Sequence, residues 1–243
     1  MVSKYEAVKD LLLKSKSTYV LTGAGVSTYS GIPDFRSADT GIWTKIDPME
    51  ALSTNVLNNK PEKFYEIGFE LLKSMRNKKP NRIHEILATL ESKGLIDGII
   101  TQNIDNLHTV AGSKNVFEVH GETRTCYCEK CKEVYDFEYL ETEVEAKNIP
   151  PKCKKCGCVV RPSVIMFGDM LPDSFTEAQN LVSKADLLIV IGTSLTVSPV
   201  NYMAAMAKKL IIINKTPTPF DYRTEVLINE DGITALEKIM EQF

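Results

Sequence analysis

Whatever chemistry this 243-residue chain performs must come from six cysteines, three histidines and the amides and hydroxyls that follow its short apolar runs. The cysteines fall as Cys126, Cys128, Cys131 and Cys153, Cys156, Cys158. Two Cys-x-x-Cys pairs, Cys128/Cys131 and Cys153/Cys156, flank residues 132–152 in a Lys-rich, Pro-flanked stretch. That spacing suits a four-thiolate zinc ribbon, in which each turn brings two sulfurs to one tetrahedral ion at about 2.3 Å. Cys126 and Cys158 sit too near a pair to complete a knuckle and read as bystanders. A redox dithiol and buried core thiols are the rival readings. A four-thiolate set leaves no open coordination position, so the zinc is expected to be structural.

Of the histidines, His84 lies among Ile83, Ile86 and Leu87 on a helical pattern, and His108 follows Asn106-Leu107 at the start of a short one. Both read as packing positions. His120 differs because it ends an apolar run and precedes Gly121. Such an imidazole should open into a crevice, where near neutral pH it can accept a proton.

The remaining candidates cluster at strand ends. Gly23-Ala24-Gly25 follows Thr18-Tyr19-Val20-Leu21; Gln102-Asn103-Ile104-Asp105 follows Gly98-Ile99-Ile100-Thr101; Gly192-Thr193-Ser194 follows Leu187–Ile191; Asn214 follows Leu210–Ile213. In open α/β sheets ligands bind outside the carboxyl ends of the strands, so position and chemistry agree. Gly23-Ala24-Gly25 alone fits a strand-to-helix turn with or without a ligand, since Thr28 stands where a dinucleotide fingerprint wants a third glycine. A helix beginning near Val26 would point free N–H groups at a phosphate. The polar segment from Ser30 to Asp47 adds Phe35 and Arg36, an aromatic face and a fixed charge suited to closing over a charged cofactor.

These positions need a scaffold. Amphipathic helices are expected over 4–14, 61–77, 82–93, 174–184, 199–208 and 232–242, alternating with apolar strands that include 116–119 and 163–166. That alternation predicts an α/β fold with a parallel sheet covered on both faces. A formal net charge of −3 argues against nucleic acid as a partner. The N-terminus lacks an apolar signal core and no run reaches membrane-spanning length, so a cytoplasmic protein with reduced or metal-bound cysteines is expected.

Taken together and in order, these motifs resemble the sirtuins, NAD-dependent protein lysine deacylases. The resemblance rests on residues 23–36, Thr101–His108, Val119-His120-Gly121, the two cysteine pairs, Phe167-Gly168-Asp169, residues 192–199 and Ile213-Asn214. It implies a Rossmann-like, doubly wound parallel sheet with a small inserted zinc-ribbon module at 121–160, a cofactor loop and helical module at 31–95, and one catalytic core over 1–243. It implies NAD bound by Gly23, Ala24, Gly25, Thr28, Asp34, Phe35, Arg36, Gln102, Asn103, Asp105, His120, Gly192, Thr193, Ser194 and Asn214. His120 and Asn103 would be catalytic, and an acetyl-lysine peptide would lie along Val164, Phe167, Gly168, Leu195 and Val197. One departure is Asp169, where the family commonly carries glutamate. Family members that prefer succinyl-lysine carry a Tyr-x-x-Arg pair where Gly68 and Leu71 stand here, so acetyl-lysine is the expected substrate. A dehydrogenase would need an acidic strand end about 20 residues past the glycines, and no such strand is expected there. A mono-ADP-ribosyltransferase using the same NAD site is the alternative.

Overall fold

A computed structural model describes residues 3–34, 41 and 47–243. Its strands are β1 (Thr18–Thr22), β2 (Gly98–Thr101), β3 (Val116–Glu118), β4 (Gly121–Cys128), β5 (Val134–Asp136), β6 (Val160–Val164), β7 (Leu187–Ile191), β8 (Leu210–Ile213) and β9 (Val226–Ile228). Six form one sheet in the order β3-β2-β1-β7-β8-β9, every pair parallel. The chain winds outward from β1 in one direction, then returns beside it and winds outward in the other. The switch point therefore lies between β1 and β7, where a doubly wound sheet leaves a crevice.

Within each strand, alternate residues serve opposite faces. Val20, Ile99, Ile189 and Ile211 pack under Val8 and Leu12 of the helix Lys4–Lys14, Ile83 and Leu87 of Arg82–Ser92 and Leu236 of Gly232–Met240. Leu21, Ile100, Leu188, Val190 and Ile212 pack under Phe175 and Val182 of Asp173–Lys184 and Met203 of Tyr202–Met206. Burial on both faces is why these strands carry no polar alternation. The first helix starts where Ser3 accepts the Glu6 N–H, an N-cap.

The second sheet, β5-β4-β6, is antiparallel. It corrects the expectation that 163–166 joins the parallel sheet: the strand is Val160–Val164 and pairs with β4. β4 and β5 went unforeseen because zinc-ribbon strands alternate polar and apolar over too few residues to stand out. The ribbon also has a core, shared with the helical segment Pro61–Met75. Phe69 stacks on Phe137 at 5.3 Å, and Tyr65 donates a 3.3 Å hydrogen bond to the Val160 carbonyl. That segment is interrupted by a π-helical turn at Phe64–Phe69. Gly68 sits in this turn against the Ala51 carbonyl, with no room for a Cβ. The widened turn lets Phe64, Tyr65 and Phe69 all be buried.

Candidate active site

One cavity of about 800 Å³ opens at the switch point, between the carboxyl ends of β1, β2, β7 and β8 and the second sheet. It brings together Gly23, Ala24, Gly25, Thr28, Asp34, Gln102, Asn103, Asp105, His120, Gly192, Thr193, Ser194 and Asn214, with Val164, Phe167 and Gly168 from the end of β6 and beyond, and Val197 from the segment after β7. Phe35 and Arg36 lie outside the described residues. Leu195 does not join the wall. Its φ of 53° turns the side chain inward, and it is buried in the core with Leu188 and Met203.

The turn after β1 departs from expectation in a way that matters. It holds two short 3₁₀ turns, Ala24–Val26 and Thr28–Ser30, in place of a helix. The N–H groups of Gly25, Val26 and Ser27 are already bonded, to Gly192, Gly23 and Ala24 carbonyls at 2.9, 3.1 and 3.0 Å. A helix N-terminus aimed at phosphate is therefore absent from this turn. The glycines answer a different demand: a Cβ on Gly25 would lie 2.8 Å from the Gly192 carbonyl oxygen, and one on Gly23 2.6 Å from Thr193 Cβ. The turns after β1 and β7 press together backbone to backbone, and only residues without side chains permit it.

The Gln102–Asp105 segment is tied to both turns. Gln102 Nε2 donates to Thr193 Oγ1 at 3.1 Å. Asn103 Nδ2 donates to the Gly23 carbonyl at 3.1 Å and to Ser27 Oγ at 3.0 Å, and Ser27 Oγ donates to Asp105 Oδ2 at 2.6 Å. With the nitrogen of Asn103 spent, its amide oxygen is the group left to accept. His120 Nδ1 lies 3.1 Å from the Gln102 carbonyl. A carbonyl can only accept, so Nδ1 carries the proton and Nε2 is the basic nitrogen. Gly121, at φ 76° and against the Ser163 carbonyl, lets the chain turn out of His120 into β4. Asp169 lies on the cavity wall beside Gly168. Its carboxylate takes two hydrogen bonds from Arg161, at 2.9 and 2.5 Å, and one from the Met166 N–H, bracing the end of β6.

Sequence reasoning missed Lys215, Glu230 and Asp231 at the far end of the cavity. Lys215 pairs with Asp231 at 2.9 Å, and Tyr29 donates to Asp231 at 2.6 Å. The available signal was Asp231-Gly232 before an apolar helix, an N-cap; Asp231 indeed accepts from Ile233 and Thr234. β9, only three residues long, gave no strand signal to place it at a strand end.

Away from the cavity, the sulfurs of Cys128, Cys131, Cys153 and Cys156 all lie within 4.8 Å of one another. The contacts Cys128–Cys156, Cys131–Cys153 and Cys131–Cys156 measure 3.4, 3.6 and 3.5 Å. Disulfide sulfurs sit at about 2.05 Å, while thiolates bound at about 2.3 Å to one tetrahedral ion stand roughly 3.8 Å apart. The set fits zinc. Cys126 is separate: fully buried, its thiol is pushed up to about 12 by burial. Among the described residues no helix is long and apolar enough to cross a membrane.

A doubly wound parallel sheet with a ligand crevice at its switch point and a four-cysteine ribbon beside it defines a nucleotide-binding α/β class. The Sir2 family profile matches residues 23–199, and the chain belongs to that family. An NAD-dependent protein deacetylase 2 of Caldanaerobacter subterraneus subsp. tengcongensis is 53% identical, over 97% of this chain and 94% of that one. An NAD-dependent protein deacetylase of Thermotoga maritima is 40% identical, over 98% of each. Among solved structures, a Sir2 with deacetylated p53 peptide and 3′-O-acetyl ADP ribose is 40% identical, with a TM-score of 0.92 over 99% of this chain and 98% of that one. A Sir2–p53 peptide–NAD+ complex is 39% identical with a TM-score of 0.88, over 99% and 98%.

Proposed function

We propose that this chain is an NAD-dependent protein lysine deacetylase, which removes acetyl groups from acetyl-lysine in proteins or peptides and forms nicotinamide and O-acetyl-ADP-ribose. The observation that carries it is the convergence of His120, Asn103 and Asp105 on the same cavity as the Gly23–Gly25 and Gly192–Ser194 turns. The donor set fits NAD: amides and hydroxyls for ribose and carboxamide, packed glycine turns for the diphosphate, and a cavity in the upper range of small-molecule sites. The roles follow. Ala24, Gly25, Thr193 and Ser194 would hold the diphosphate and its neighbouring ribose, Gly23, Thr28 and Asp34 would line the same cofactor site, and Phe35 and Arg36 would belong to the cofactor loop. Gln102 and Asn103 would hold the nicotinamide ribose, Asp105 the carboxamide and Asn214 the adenosine side.

NAD would supply the glycosidic bond to nicotinamide, whose cleavage lets ADP-ribose accept the acetyl group, with one water consumed as free lysine is released. Asn103 fixes a ribose hydroxyl through its free amide oxygen. His120 takes a proton at Nε2, a general-base role worth typically ~10²–10⁴ in rate. Leu52, Met75, Val164 and Met166 give the cavity an apolar wall suited to a small neutral acyl group. The peptide would run between Gly168 and Val197. Phe167 cannot pair with it, because its N–H and carbonyl are already bonded to Leu52 and Thr54 at 2.9 and 3.0 Å.

The wall also sets the acyl group. Among the described lining residues Lys215 is the only cation, and it is paired with Asp231. Arg76 is paired with Glu138 and Glu141, and Arg82 with Glu85 and Glu237, so neither turns to the cavity. Among the described residues a succinyl carboxylate would meet no unpaired cation. We read the chain as one catalytic core, 1–243, with the ribbon at 121–160 and the helical module at 31–95. We place it in the cytoplasm, where thiols stay available to zinc. Mass spectrometry of products from an acetylated peptide and NAD tests the function. O-acetyl-ADP-ribose in step with free lysine is expected, whereas ADP-ribosylated peptide without it would make the protein a mono-ADP-ribosyltransferase.

A further inference from the structure

The two halves of the cysteine ribbon are built differently. Cys128 ends β4 and Cys131 follows it closely, and β5 pairs back onto that strand. Cys153 and Cys156 lie before β6 in a stretch with no helix or ladder strand of its own. Its shape comes from the isolated Lys152–Val159 bridge and from two backbone hydrogen bonds, Cys153 N–H to the Cys158 carbonyl at 2.7 Å and Gly157 N–H to the Cys153 carbonyl at 2.9 Å. These contacts stay within residues 152–159. They form the second knuckle without fastening Cys153 to the other half, and a four-thiolate site needs both, because all the sulfurs must reach one ion.

The fastening comes from Tyr135 on β5. Its hydroxyl oxygen lies 3.1 Å from Cys153 Sγ and accepts the Lys154 N–H at 3.1 Å. A backbone N–H can only donate, and a cysteine that binds zinc has given up its proton and can only accept. The hydroxyl is therefore the acceptor toward Lys154 and the donor toward Cys153. The Lys155 N–H adds a second donor to the same sulfur at 3.4 Å. Among the described residues, none of the other three sulfurs has a hydrogen bond to a side chain outside the cysteines. The ring that carries the hydroxyl is itself held. It stacks on Tyr139 at 4.6 Å and 24°, and Tyr139, from the helix Phe137–Glu145, donates to the Lys152 carbonyl at 2.5 Å. The Lys154 ammonium lies 4.8 Å from the centre of the Tyr139 ring.

We infer that Tyr135 is a positioning residue for the metal site. Its hydroxyl clips Cys153 to the half of the ribbon that carries Cys128 and Cys131, so that this sulfur is aimed at the other three, and it tunes the bound thiolate by donating to it. Partners behind a ligand set both its orientation and its basicity. Charge argues for a donor here as well. Four thiolates around one divalent ion leave a net negative charge, and Cys153 is buried, so a hydrogen bond to its sulfur offsets part of the cost of keeping that charge from water.

The inference rests on the four cysteines binding metal and is independent of the reaction. Tyr135→Phe removes one oxygen and keeps the ring on Tyr139, so the packing of the ribbon is retained. Two quantities are read on the full chain: zinc affinity, by competition with a chromophoric chelator, and the thiolate-to-metal charge-transfer band of the cobalt(II)-loaded protein. Loss of the hydrogen bond should lower zinc affinity by about 10–100-fold. It should also move the cobalt band to longer wavelength, because a sulfur relieved of a donor gives up an electron at lower energy. Tyr139→Phe, whose lost hydroxyl served a carbonyl, should leave the band where the parent has it. In Tyr135→Phe, zinc affinity within about twofold of the parent, or an unshifted band, would overturn the inference. An equal shift in Tyr139→Phe would overturn it too, by showing that the band follows the packing of the ribbon and not the bond to sulfur. A parent that takes up neither ion would end the metal reading itself.

Discussion

The six-stranded and three-stranded sheets wall the same cavity but are stabilised differently. In the larger sheet β7 and β8 are buried on both faces, so sequence-local apolar runs supply the stability and polar groups appear only where strands end. The smaller sheet has strands of mixed polarity. It leans on two outside supports: the aromatic cluster of Phe64, Tyr65, Phe69 and Phe137, and the four thiolates. Arg76 adds a link, lying over the Phe137 ring at 4.4 Å and pairing with Glu138 and Glu141. The strand ends of the larger sheet thus carry the proposed cofactor site, while the proposed peptide side belongs to a lobe whose four clustered cysteines fit zinc.

Several perturbations break or sharpen this division. Removing the proposed base, which stands where the two sheets meet, leaves the packing of both in place. His120→Ala should cost about 10²–10⁴ in deacetylation while NAD affinity and thermal stability stay near the parent's, as calorimetry and melting curves would report. Turnover within a few-fold of the parent would remove His120 from the mechanism. On the other wall, an acetyl peptide should be used at least about a hundredfold more efficiently than its succinyl match, since a buried unpaired carboxylate costs several kcal/mol. Comparable efficiencies in parallel assays with saturating NAD would mean a cation outside the described residues reaches the acyl group.

Stability should divide along the same line. Phe69→Ala removes the contact between ribbon and helices and should cost about 3–5 kcal/mol by denaturant melts, with the small lobe losing structure first. Cys153→Ala should abolish zinc by elemental analysis and lower the melting temperature, because metal binding supplies folding free energy there. Cys126→Ala should keep about one zinc per chain, and loss of metal in that variant would mean the ligand set is wrong. The smallest effect belongs to the buried histidines. Their folded pKa values are lowered, so the stability they contribute is complete above the ordinary value near 6.5 and is lost as pH falls below it. A melting temperature that declines from about pH 6.5 downward, and less steeply in His108→Gln, is the expected signature.

The paired cysteines, the strand-end polar clusters and His120 were legible in the sequence because each depends on a short-range rule: ligand spacing, the period of a buried strand, the residue that ends it. Continuous apolar runs likewise announced β7 and β8. What the sequence could not supply was which strand ends meet. The glycines after β1 read as a phosphate cradle, but nothing local showed that they also pack against the β7 turn, which lies far along the chain. Leu195 sat inside a motif and proved to be core, since a left-handed residue reverses the direction of its side chain. Cys126 and Cys128, two residues apart, share a strand face but part ways in chemistry, because only Cys128 comes within reach of the second pair. His84 and His108 looked like separate packing residues. Only tertiary structure brings their rings to 4.8 Å from each other in the interior, each with one nitrogen unpartnered, because the helix and the segment after β2 that carry them are far apart in the chain.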